Sequence, residues 1–145
     1  MSPPSEKASP HAPADDALSD FSARCDAIEE AYEFMLAYAA QGLPNEHGST
    51  SGSQIREFLR RCDSALTGLV EALRRCVRAL DIPSMAPYDA FIAVVDRDVL
   101  SAQAAVRLVL AQPSIGSELV DNLNASIHLR AVLTDLFLLD EVLKK

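Results

Sequence analysis

Apolar residues recur at alternating intervals of three and four along most of the chain, the period of a helix that buries one edge. The first such run is Leu18, Phe21, Cys25, Ile28, Tyr32, Met35 and Ala39. It predicts a helix over about 19–41, capped by Ser19 or Asp16 and ended by Gly42-Leu43-Pro44. The segment 43–53 is rich in Gly, Ser, Asn and Pro and reads as a mobile connection. A second run, Ile55, Leu59, Cys62, Leu66, Leu69, Leu73, Cys76 and Leu80, predicts a helix over about 54–80 with Ser53 as its cap. Gly68 inside it costs about 1 kcal/mol relative to Ala, which points to a close helix crossing there.

Pro83 and Pro87 make a turn of 81–87, and Tyr88, Ile92, Val95, Val99, Ala102, Val106 and Val109 predict a third helix over about 88–111. Gln112-Pro113-Ser114 stops it, and Ser114 or Ser117 caps a fourth helix reaching Leu143. That helix is apolar nearly all round, with one polar strip of Asp121, Asn124, His128 and Asp135, so it is expected to be buried on most sides.

Four helices of similar length, each about 35–40 Å, joined by short connections, make an all-α fold: an antiparallel four-helix bundle, up-down-up-down. Residues 1–14 hold Pro3, Pro4, Pro10 and Pro13 among Ser, Ala and charges, and read as a disordered N-terminal tail. The domain is then 15–145. At 145 residues and 49% apolar content, it is large enough to bury a core without metal or disulfide support.

Charge narrows the function classes. A net charge of −8 and a pI near 4.7 argue against binding nucleic acid or an anionic membrane. No run of about 18 apolar residues occurs, because Asp135 and Asp140 interrupt the most apolar stretch. Behind the leading Met-Ser-Pro-Pro-Ser-Glu-Lys there is no apolar stretch, so no secretory signal is expected. Three cysteines, an odd number, fit a reduced cytoplasm.

The candidate chemistry is sparse. Cys25, Cys62 and Cys76 fall on the apolar edges and read as core residues. No Glu or Asp stands three residues before a helical His, so neither a di-iron pattern nor another metal site is expected, and no cofactor motif is present. Asp26, Glu29, Glu30 and Glu33 form a compact acidic face on the first helix. Arg56, Arg60, Arg74 and Arg78 share one face of the second, which also carries Arg61 and Arg75 in favourable pairs with Glu57 and Glu71. These faces read either as a salt-bridged surface between neighbouring helices or as partner-docking surfaces.

His128 is the one helical histidine, one turn after Asn124. A solvent-facing helical His in a four-helix bundle is the acceptor of histidine phosphotransfer domains, whose usual pattern is His-x-Leu-Lys-Gly. Here the order is His128-Leu129-Arg130-Ala131, with the cation and small residue displaced by one and the Gly missing. His128 is therefore expected to be structural or partner-contacting, with phosphotransfer as the alternative.

Beyond the predicted edges the chain must still place Phe34, Leu36, Tyr38, Phe58, Val77, Phe91, Val94, Leu100, Leu108 and Leu110. That surplus predicts a partner chain covering an apolar face, a homodimer through residues such as Phe91 and Leu108 being the expected case. The reading is a non-catalytic cytoplasmic interaction protein: an adaptor, assembly chaperone or regulator. A ligand-binding bundle using its interior is a further alternative.

Overall fold

A computed structural model describes residues 12–143. The chain is all-helical, with six helices among those residues where the apolar pattern predicts four. They are α1 (Ala12–Ala40), α2 (Thr50–Leu66), α3 (Leu69–Arg78), α4 (Ala86–Leu110), α5 (Ser117–Ala125) and α6 (His128–Leu143). Residues 1–11 of the expected tail lie outside the described residues, and α1 takes in the last of that segment, starting at Ala12 rather than near Ser19.

The expected second helix is two helices because the backbone reverses its twist at Gly68. Thr67 is extended, and Gly68 has φ +87°, a left-handed conformation that glycine adopts without a Cβ penalty. Gly68 thus marks a break and not a crossing. Three carbonyls at the end of α2 are met by one side chain from α1: Arg24 Nη1 donates to the carbonyls of Ser64, Ala65 and Thr67 at 3.2, 3.3 and 2.6 Å. From α4, Gln103 Nε2 donates to Asp63 Oδ1 and Thr67 Oγ1. The break keeps the apolar edge in phase, so every predicted core residue from Ile55 to Cys76 is buried, while Leu80 is exposed.

The expected fourth helix breaks at Ser126–Ile127. Ile127 has φ +64°, a conformation costly for a β-branched residue, and α6 restarts at His128. The break resets the helical phase and splits the predicted polar strip. Asn124 and Asp135 turn inward and are buried, while Asp121 and His128 are exposed.

α1 and α4 each pack on all four of the other helices. α2 and α3 run back along α1, with Phe58 stacked on Phe34 at one end (centroids 4.1 Å apart) and Arg75 paired with Asp20 at the other. At the end where α1 meets α5, the connections clasp. Tyr38 Oη donates to the Ile115 carbonyl, and Ser117 Oγ donates to the Tyr38 carbonyl, both at 2.6 Å. Arg56 grips the Glu46 carboxylate with Nε and Nη2 at 2.7 Å and also donates to the carbonyls of Leu110 and Gln112. The connection expected to be mobile is therefore tied down through Glu46. Its close approach to α2 is recorded at Gly52, where a Cβ would run into the Glu46 carbonyl.

Much of the apolar surplus is internal. Tyr38 and Val77 are fully buried, and Phe34, Phe58, Phe91 and Leu110 are half-buried against the core. The predicted edge of α1 is also rotated. Its buried residues are Ala17, Phe21, Ile28, Ala31, Met35 and Tyr38, which leaves Leu18 exposed and Cys25, Tyr32 and Ala39 half-buried on the flank facing α5 and α6. No helix among the described residues is long and apolar enough to cross a membrane.

Candidate functional site

That flank is where the surface of the molecule is least ordinary. A furrow follows the line between α1 and the α5–α6 pair. At one end it is walled by Tyr32, Leu36, Ala40, Asn124 and Arg130. Tyr32 and Arg130 also line the middle stretch, together with Glu29, Glu33 and Phe137. Glu29 and Phe137 continue into the last hollow, of about 450 Å³, with Leu18, Cys25, Asp26 and Leu136. Shared walls make the three hollows one feature. Its floor and crests are apolar: Leu18 is 57% exposed and Phe137 60%, both large side chains facing water.

The rim is acidic. Asp26, Glu29 and Glu33 project from α1 because positions three, four and seven apart share a helix face. Asp140 stands across from them on α6. None of the three α1 carboxylates makes an ion pair among the described residues. Partial burial, then the negative charge of Asp26, Glu33 and Asp140, pushes the Glu29 carboxyl above its ordinary range. The Cys25 thiol in the same hollow is pushed up to about 12, by burial first and by Glu29 and Asp26 next. Both shifts record burial first and, after it, the negative charge gathered on this face of α1.

The acidic face expected from sequence is thus present, less one member: Glu30 is exposed but does not line the furrow. The expected basic face is not one surface. The break at Gly68 separates Arg56 and Arg60 on α2 from Arg74 and Arg78 on α3. Arg56 is committed to the clasp, Arg74 is half-buried, and Arg60 and Arg78 are exposed. Of the two expected pairs, Arg61 holds Glu57, whereas Arg75 reaches across to Asp20 and not to Glu71. Among the described residues, none of Asp26, Glu29, Glu30 and Glu33 is ion-paired to an arginine of α2 or α3.

Leu108 and Leu100 are exposed on α4 at 66% and 60%, as a docking face requires, but Phe91 is half-buried against the core. His128 is the first residue of α6 and exposed, and its side chain makes no hydrogen bond among the described residues. It is not a satisfied interior histidine, and Asn124 turns away from it to donate to the Met35 carbonyl. Its exposure meets the access that phosphotransfer needs. The nearby cation does not serve it, since Arg130, two positions on, lines the furrow.

The spacing of Asp135 along the chain carries no sign of the chemistry its surroundings give it. Asp135 of α6 is buried beside Asp98 of α4, and its Oδ2 has no hydrogen-bond partner among the described residues. Burial, followed by the neighbouring Asp98 carboxyl, raises the Asp135 carboxyl from 3.8 to about 7. Comparisons of the chain with protein-family models, with curated proteins and with solved structures find no match.

Proposed function

We propose that the chain is a non-catalytic interaction protein, an adaptor, assembly chaperone or regulator, that docks another protein along the α1/α6 furrow. In this reading the six helices act as four antiparallel arms of an up-down-up-down bundle, with α2–α3 and α5–α6 each forming one broken arm. The furrow lies between two of those arms. Three unpaired thiols suit a cytoplasmic setting.

The observation that carries the reading is the furrow itself: large apolar side chains held in water, continuous over three hollows, beside the α1 carboxylates Asp26, Glu29 and Glu33, which make no ion pair among the described residues. Exposed apolar surface of this kind is rare on a monomer unless something covers it. A second reading rests on Leu100 and Leu108, which offer the outer face of α4 for self-association.

The test compares the two surfaces. Tagged full-length chain is isolated from the cells that make it, as parent, Phe137→Asp and Leu108→Asp. The furrow reading expects Phe137→Asp to lose a bound protein that Leu108→Asp retains. Loss with Leu108→Asp alone, with the parent sedimenting as a dimer, overturns it in favour of self-association.

A further inference from the structure

The furrow has a definite length, shape and sign, and these restrict what fits it. From Leu18 to Ala40, α1 rises about 33 Å at 1.5 Å per residue, so the furrow matches a partner helix of about five to six turns. Its apolar hollows follow one straight helix, which suits anchors presented at helical spacing and not an extended strand. A helix laid in such a groove inserts one apolar edge and leaves its flanks against the rim.

The rim then selects by charge. On the α1 side the flank of any occupant lies beside Asp26, Glu29 and Glu33. Arg130 is the one cation among the described lining residues, and it stands toward the far end. An acidic occupant would add negative charge beside Asp26, Glu29 and Glu33, which already stand on one face of α1. A cationic occupant would set positive charge against all three.

Resting on the docking reading above, we infer that the furrow's occupant is a basic amphipathic helix, with leucine-like anchors along one edge and lysines or arginines flanking it. A second copy of this chain fits less well. Its helices α2 and α3 already bury their apolar edges within the fold, and α4, which does expose Leu100 and Leu108, sets Asp89, Asp96 and Asp98 against Arg97 and Arg107 and so is not a basic helix.

The probe is an 18-residue peptide with leucines at helical spacing and lysines on both flanks, set against the same peptide with glutamates for lysines. Binding to the full-length chain is followed by fluorescence anisotropy at 50 and 300 mM salt. The lysine peptide is expected to bind, to weaken with salt, and to lose about tenfold or more in affinity with Glu29→Lys/Glu33→Lys. Glu71→Lys/Asp81→Lys, which changes net charge equally on exposed positions elsewhere, is expected to change affinity less than about twofold. Phe137→Asp removes the apolar anchor and is expected to abolish binding. Helicity by circular dichroism confirms that each variant is folded.

Equal binding of both peptides, no binding of either, or equal loss with the two charge-reversed pairs overturns the inference. So does a dimer of the chain alone that Glu29→Lys/Glu33→Lys dissociates, because a second copy then fills the furrow. If Phe137→Asp strips a bound protein from cells while the lysine peptide fails to bind, docking stands and the partner chemistry falls. If neither is seen, both fall.

Discussion

Asp135 shows how far one residue's environment departs from its sequence context. In the chain it is one polar position in an apolar run, and in the fold it is buried beside Asp98 across the α4–α6 contact. Unfolded, it loses its proton near pH 3.8; folded, it keeps it to about pH 7. Between those values the folded state binds the additional proton, so stability from this group falls as pH rises and is fully lost above about 7. Asp135→Asn removes the titration and keeps a donor for Asp98. The variant is expected to gain about 2 kcal/mol at pH 8, a rise in Tm of roughly 4–8 °C for a domain of this size. Near pH 4 it should melt with the parent. Thermal melts at the two values check this, and an equal shift at both would show that packing and not protonation separates the two chains. Glu46 runs the other way. The hydrogen bond from Arg56, against an opposing cost of burial, lowers its carboxyl, so the stability it contributes is lost as pH falls through that lowered value.

At the scale of the elements, the apolar period made the helices legible and hid their breaks. The edge from Ile55 to Cys76 stays in phase through Thr67 and Gly68, so its spacing carries no mark of the interruption. What makes the break stable is non-local: the Arg24 guanidinium from α1 and the Gln103 amide from α4. In α1 the period was ambiguous for a different reason. Ala17, Ala31 and Tyr38 form an edge one step from Leu18, Tyr32 and Ala39, and both are apolar because one faces the core and the other the furrow. Two substitutions separate a continuous helix from a broken one. Were α2 and α3 continuous, Gly68→Ala would stabilise by about 1 kcal/mol. With φ at +87° and a new Cβ 3.3 Å from Arg24 Nη2, it is expected to destabilise by about 1 kcal/mol or more. Ile127→Gly is expected to stabilise by about 1 kcal/mol, since it relieves a left-handed β-branched residue whose side chain is 57% exposed. Urea unfolding of the two variants reads both signs.

For the whole molecule, the site was half legible. Asp26, Glu29 and Glu33 stood out as a face from spacing alone, and Leu108 as an apolar residue left over. Phe137 did not, because nothing in a helix apolar on most sides says which residue meets water. That depends on the break at Ile127, which sets the phase of α6 against α1. Nor does the surplus of apolar residues measure one covered face, since Tyr38 and Val77 are absorbed by the core and the exposed remainder is split between α1/α6 and α4. The central claim is that one of these surfaces, the furrow, is where the protein meets its partner. It is tested most directly by a photo-crosslinking amino acid placed in turn at Leu18, Leu36 and Phe137 along the furrow, and at Leu80, Leu100, Leu108 and Ile127 elsewhere, in full-length chain made in its own cells. The account predicts a discrete protein adduct from Leu18 and Phe137, and none from the four positions outside the furrow. Adducts confined to Leu100 and Leu108, or none from any furrow position, would contradict it.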